Sequence, residues 1–304
     1  MKVAVLAAAS TTLIWGTLPA APAPLRWGSH GHTMASRAAV EGLPSRIPSF
    51  FREAGDQLIY LGPEPDRWRA GELPPMDEAW KYDHYIDLEN VPPGALDAGD
   101  RYEFLGLLYA VGIQRPQQTV GFLPFRILEM YQRLVTGFAR WRVTPDGPER
   151  SWIEARVVND AGILGHYVVD AAQPHHTTIH FNGWAQDTPN PRGFTLDRDF
   201  HSRFESAFVN AHITYEELAP RMSSAPVEIG DVRGAIWDHV QASNALVEEL
   251  YSLDQEYGFR PDETPHPATL EFTLGRLTSG AEMLRTLWVR AWEESEELAR
   301  QRTR

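Results

Sequence analysis

The chain of 304 residues contains no cysteine. Disulfide staples and thiolate metal sites are therefore excluded, and any metal must be held by histidine, aspartate and glutamate. Positive charge is also scarce: 28 Lys and Arg stand against 41 Asp and Glu, a net charge of −13 with the 11 histidines neutral. Such a chain repels phosphate polymers and anionic membranes unless a local positive centre intervenes, and bound metal is one such centre. The apolar run Val3 to Trp15 is too short to span a bilayer, so an integral membrane protein is not expected. No strand-like alternation persists and no repeat period emerges, which leaves an all-α single domain as the expected fold. At 43% hydrophobic and 23% charged residues the composition is globular, and the length suffices for a full core.

Met1-Lys2, the apolar run, and the small-residue and proline stretch Thr17 to Pro24 read as an export signal. An uncleaved anchor is the other reading. The expected division is a signal peptide and short pro-segment over residues 1–26 and one helical domain over 27–304, with the mature protein secreted or periplasmic.

The chemistry gathers around Leu164-Gly-His166-Tyr-Val-Val-Asp170-Ala-Ala-Gln-Pro174-His175-His176. His166 and Asp170 stand four apart in a helical run, so both project from one face where a cation could touch both. Pro174 ends that helix and turns His175 and His176 around the corner. The plain alternative is a capped helix with surface histidines, because i,i+4 polar pairs are common. His201 and Glu205 repeat the imidazole–carboxylate spacing at the start of a helix beginning near Asp197. Further helices are expected from about Asp100 to Ile113, Val120 to Trp141, Arg150 to Ala172, Gly230 to Leu253 and Pro267 to Arg300. Upstream, Trp27-Gly-Ser-His30-Gly-His32 reads as a glycine loop before an Ala-rich helix, and Pro48 to Tyr60 as a helix leading into the turn Gly62-Pro-Glu-Pro-Asp66. Trp80-Lys-Tyr-Asp83-His84-Tyr-Ile-Asp87 places three aromatics around a histidine.

In this order the motifs Trp27-Gly-Ser-His-Gly-His32, Asp83-His-Tyr-Ile-Asp87, the His166 to His176 run and Phe200-His-Ser-Arg-Phe-Glu205 resemble the zinc-dependent phospholipase C and single-strand-specific nuclease superfamily. The resemblance covers nearly the whole mature chain, and it implies a helical fold with three zinc ions in a cleft. Asp66, His84 and His166 would hold one zinc. Asp170 would bridge it to a second, also bound by His32 and by the backbone amine and carbonyl of Trp27. His176, His201 and Glu205 would take the remaining ion. His30, His175 and His180 match no ligand position and are read as supporting or surface groups, and Asp77 competes with Asp66.

Such a site implies phosphodiester hydrolysis by a zinc-activated hydroxide, with Asp66 orienting the water or taking its proton. Glu205 in place of aspartate, no Gly-Gly-Asn turn after His176, and Leu287-Trp-Val-Arg-Ala-Trp292 look closest to bacterial phospholipase C-like proteins, with phospholipid head groups as substrate. Trp184 is expected to lie against those head groups. The Trp-Gly-x-x-Gly-His opening favours the nuclease branch, acting on single-stranded nucleic acid or nucleotides. A non-catalytic zinc-binding protein is the third reading. The amine ligand requires Trp27 to become residue one, by trimming after Arg26; otherwise that zinc site is modified or absent.

Overall fold

The computed structural model describes residues 28–303. The export segment and Trp27, with the leader cleavage and amine chelation expected there, lie outside the described residues. Fifteen α-helices follow in chain order: α1 Gly28–Glu41, α2 Ser49–Glu53, α3 Gly55–Leu61, α4 Glu64–Arg67, α5 Pro74–Trp80, α6 Arg101–Ala110, α7 Pro116–Thr119, α8 Leu123–Val143, α9 Pro148–Asp170, α10 Phe200–Ser202, α11 Val209–His212, α12 Tyr215–Leu218, α13 Val232–Asn244, α14 Val247–Glu256 and α15 Pro267–Arg302. No strand is present among the described residues, only an isolated antiparallel bridge between Ile86 and Gly121. The all-helical expectation is met.

The central element is α9. Pro148 starts it after Gly147, where a missing N–H costs nothing. Its second half is buried from Asp160 through Asp170 without a break, so this stretch is a core helix rather than an amphipathic surface one. α8 and α15 pack along it, and α1 and α3 close its other side. Two apolar clusters result. One gathers Phe51, Phe104, Phe138, Leu164, Tyr167 and Trp288; the other gathers Phe200, Phe204, Phe208, Tyr251 and Phe259. α15 serves both, through Leu284 and Trp288 on the first and Leu277 and Ala281 on the second.

Close approach of α1, α3 and α9 depends on two glycines. A methyl group on Gly162 would collide with the Leu61 side chain, and one on Gly62 would stand 2.5 Å from Ser36 Oγ and 3.2 Å from the His32 carbonyl. Gly62 lies beside both His32 and His166, its carbonyl bonded to the His166 ring at 2.9 Å.

Several boundaries differ from expectation. α1 already begins at Gly28, so His30 and His32 sit in a helix, not a loop. The Gly28 amide donates to Ser206 Oγ at 3.3 Å, and this tertiary contact and the packing of α1 outweigh glycine's poor propensity. The helix expected from Pro48 to Tyr60 breaks at Ala54 into α2 and α3, and the turn at Glu64 is a single helical turn, α4. The expected helix from Gly230 to Leu253 is two, parted at Ala245 and Leu246, where Asn244 turns to donate to the Thr177 carbonyl at 2.8 Å. Between α10 and α11 the backbone forms a π-helical stretch, Arg203–Phe208.

Candidate metal centre

α9 delivers His166 and Asp170 from one face, as the spacing requires. α1 brings His32, α4 brings Asp66, and the 3₁₀ turn Lys81–Asp83 carries His84 at its end. That turn is pinned by Asp83, whose carboxylate accepts from Arg101 at 2.9 Å and Arg126 at 2.7 Å. After Asp170 the chain bends into a second 3₁₀ turn, Pro174–Thr177, which presents His176. His201 on α10 and Glu205 in the π-helical stretch complete the set. Phe200, Phe204 and Phe208, four apart, sink the opposite face of that segment into the second core. Short π-helical insertions recur at functional sites because they re-aim side chains within a helix.

Three groups of ligand atoms converge: His32, His166 and Asp170; Asp66, His84 and His166; His176, His201 and Glu205, with each group's atoms inside 4.8 Å of one another. Asp170 joins them. Its Oδ2 lies 3.1 Å from His84 Nδ1 and 3.2 Å from His166 Nε2, while Oδ1 lies 3.4 Å from His32 Nε2 and 3.8 Å from His176 Nε2. Asp66 Oδ1 stands 3.8 Å from both His84 Nδ1 and His166 Nε2. Asp77 is elsewhere, paired with Lys81 at 3.2 Å, so the geometry selects Asp66 between the two aspartates.

The donor chemistry fits divalent metal ions of the zinc type. His166 Nδ1 is bonded to the Gly62 carbonyl at 2.9 Å and His176 Nδ1 to the His84 carbonyl at 2.5 Å, which turns Nε2 of each ring toward the other ligand atoms, 3.0 Å from His84 Nδ1 and 3.3 Å from Glu205 Oε2 respectively. His201 Nε2 and Glu205 Oε2 are 2.9 Å apart yet lack the alignment of a hydrogen bond, and Glu205 Oε1 and both ring nitrogens of His32 have no hydrogen-bond partner although buried. Buried polar atoms left unpaired are costly, and a shared cation satisfies them.

The charges within the cluster shift one another. Burial alone would raise Asp170, but the charges of His166 and His176 hold it well below the usual carboxylate range; His201 and His176 do the same for Glu205. Burial opposes charging of His176, yet Asp170 and Glu205 push it up to about 9. His166 is raised against its burial by Asp170 and Asp66. His32 and His84 are lowered, chiefly by burial.

The histidines expected to be supporting or surface groups divide. His30 is exposed. His175 and His180 are buried, which leaves the supporting alternative and not the surface one: the turn at Pro174 packs His175 against Phe200 and the His201 ring, and His180 stacks on Trp184 with centroids 3.7 Å apart. Trp184 is thereby withdrawn from the cleft, since Phe194 and Tyr251 hold its other edges. The aromatics flanking His84 also spread apart, Trp80 onto Trp68, while the His84 ring meets His166 and Tyr167 instead.

A cleft of about 420 Å³ opens onto His84, His176, His201 and Glu205. Sequence reasoning missed several of its members. Arg69, Lys81 and Arg198 line it, with Tyr85, Asp87 and Phe181. Gln173 was also missed: its Nε2 donates to Glu205 Oε2 at 3.2 Å while its Oε1 accepts from the His175 amide at 2.6 Å, so one side chain positions the carboxylate and the turn together. Its place beside Pro174 was the available signal, whereas isolated arginines in loops carry none. Comparison with protein-family models and with curated protein sequences gives no match.

Proposed function

We propose that this protein is a zinc-dependent phosphodiester hydrolase of the phospholipase C-like kind, exported and then trimmed so that Trp27 becomes its first residue. The observation that carries the reading is the sharing of one buried carboxylate, Asp170, among His32, His84, His166 and His176, of which His84 and His176 also line an open cleft. Asp66, His84 and His166 would hold one ion; His32, Asp170 and the Trp27 amine a second, with Asp170 shared; His176, His201 and Glu205 a third. Bound there, zinc supplies Lewis acidity toward water and phosphate oxygens.

The protein's own groups do the rest. Asp66, with its side chain partly open to solvent, is the carboxylate able to accept a proton from an attacking water. Arg69 makes no side-chain hydrogen bond or ion pair among the described residues and lines the cleft, so it is free to meet a phosphate oxygen. Gln173 holds Glu205 in place, and the backbone carbonyls of Gly62 and His84 hold the imidazoles.

The test is hydrolysis of bis-p-nitrophenyl phosphate by the purified mature protein. Turnover abolished by chelator and restored by zinc supports the reading. A zinc-loaded protein without turnover on that ester, phosphatidylcholine, single-stranded DNA, RNA or 3′-nucleotides is a zinc-binding protein and not an enzyme. Faster cleavage of DNA than of every phospholipid assigns it to the nuclease branch.

A further inference from the structure

The cleft's mouth has a charge that the metal centre does not account for. Arg198 lines it from the loop that leads into α10, exposed and without an ion pair or side-chain hydrogen bond among the described residues. Its neighbour Asp197 is committed elsewhere, to Arg203 at 3.1 Å and to the amide of Asp199 at 3.0 Å. Arg69 is a second cation in the same lining without a partner, and Lys81 a third, itself bound to Asp77 and Glu78.

Opposing carboxylates are few. Glu205 is enclosed by its histidines, and burial together with Glu89 pushes Asp87 up to about 8. Besides these, Asp199 is the one other carboxylate lining the cleft among the described residues. In a chain of net charge −13 this is a local reversal of sign. A quaternary ammonium head group calls for aromatic faces and anions, and an excess of arginine repels it. The same loop also turns apolar surface outward: Phe181 is 43% exposed and Leu196 51% exposed. Apolar side chains beside unpaired arginine suit an anionic lipid surface.

Resting on the phosphodiesterase reading, we propose that the substrate is a phospholipid whose head group carries a second phosphate, and that Arg198 receives that phosphate at the cleft's mouth. A guanidinium binds a phosphate with paired, charge-assisted hydrogen bonds, which lysine reproduces only in charge.

The experiment uses zinc-loaded mature protein and uncharged detergent micelles carrying either phosphatidylcholine or phosphatidylinositol 4-phosphate at equal mole fraction. Expected is a kcat/KM at least about tenfold higher on the phosphorylated lipid, the worth of one charge-assisted hydrogen bond. Arg198→Ala should collapse that ratio to about twofold or less, and Arg198→Lys should keep part of it. Calorimetry gives a readout apart from turnover: inositol 1,4-bisphosphate should bind the wild type about tenfold more tightly than Arg198→Ala, with phosphocholine showing no such difference. Equal rates on the two lipids, a preference that survives Arg198→Ala, or bisphosphate binding indifferent to Arg198 would overturn the proposal. So would Arg198-dependent cleavage of a 5′-phosphorylated dinucleotide with the lipids untouched, which assigns the arginine to nucleic acid. Failure of zinc-dependent bis-p-nitrophenyl phosphate hydrolysis sinks the phosphodiesterase reading instead, and bisphosphate binding still decides the anion site.

Discussion

The two halves of the candidate centre are built differently. His32, His84, His166 and Asp170 are buried to within about 1% of full enclosure, three of them on the helices α1 and α9 and His84 at the end of a 3₁₀ turn. His176, His201 and Glu205 come from a 3₁₀ turn and a short helix with a π-helical stretch, and His201 faces the cleft with 19% of its side chain exposed. The first half shares Asp170 among its three imidazoles, with His176 of the second half also in reach, whereas the second half has a carboxylate of its own in Glu205. On the proposed reading, an ion held in the first half would leave Asp170 with several uncompensated groups, whereas one held in the second would have a route through the cleft that His176, His201 and Glu205 line, so the halves should lose metal separately.

The largest effect should follow from Asp170→Asn, which keeps shape but removes the shared charge. Elemental analysis should find more than one zinc lost, with activity down on the order of 10³-fold, as for breaking a buried charge cluster. A variant that keeps three zincs and most of its activity contradicts the shared role. Glu205→Gln should remove one zinc only and cost about 10²-fold in rate, with an unchanged circular dichroism spectrum, because Gln matches Glu in helix propensity. Loss of every ion from this variant would erase the distinction between the halves.

Acidity sharpens the contrast. His176, raised to about 9, gives the metal-free protein stability that is fully present below its ordinary value of 6.5 and is lost as pH rises through 9. Asp170 and Glu205, held low, give stability present above their ordinary values and lost as pH falls through the depressed ones. The metal-free protein should therefore melt lower at pH 9 than at pH 6.5, while His32 and His84, lowered by burial, cost stability as pH falls below 6.5. Zinc needs the deprotonated imidazole, so its stabilising effect should grow over the same rise. Melting curves with and without chelator that run parallel across pH would refute this. The smallest effect belongs to Gln173→Leu, which leaves all ligands but frees Glu205 and the His175 amide: zinc affinity in the second half should drop about tenfold.

The sequence carried this comparison unevenly. His166 with Asp170, and His201 with Glu205, were legible because a helix brings positions four apart onto one face, and Pro174 marked the turn between the halves. His32, Asp66 and His84 have no such local relation. Their convergence on Asp170 depends on the packing of α1, α3, α4 and α9, and only the family resemblance suggested it. Helix content was readable from periodicity, but the breaks at Ala54 and Ala245 were not, since each falls at a residue with high helix propensity and is set by tertiary contacts. Burial of His175 and His180 was hidden for the same reason: polar residues after a proline read as surface until the aromatic partners from distant segments are known.

The central claim is that these clusters hold metal, and anomalous diffraction at the zinc absorption edge from crystals of the mature protein tests it most directly. The account predicts three peaks: one among Asp66, His84 and His166, one between His32 and Asp170, and one among His176, His201 and Glu205. Ordered side chains at these positions with no anomalous peak, in crystals grown with zinc, would contradict it.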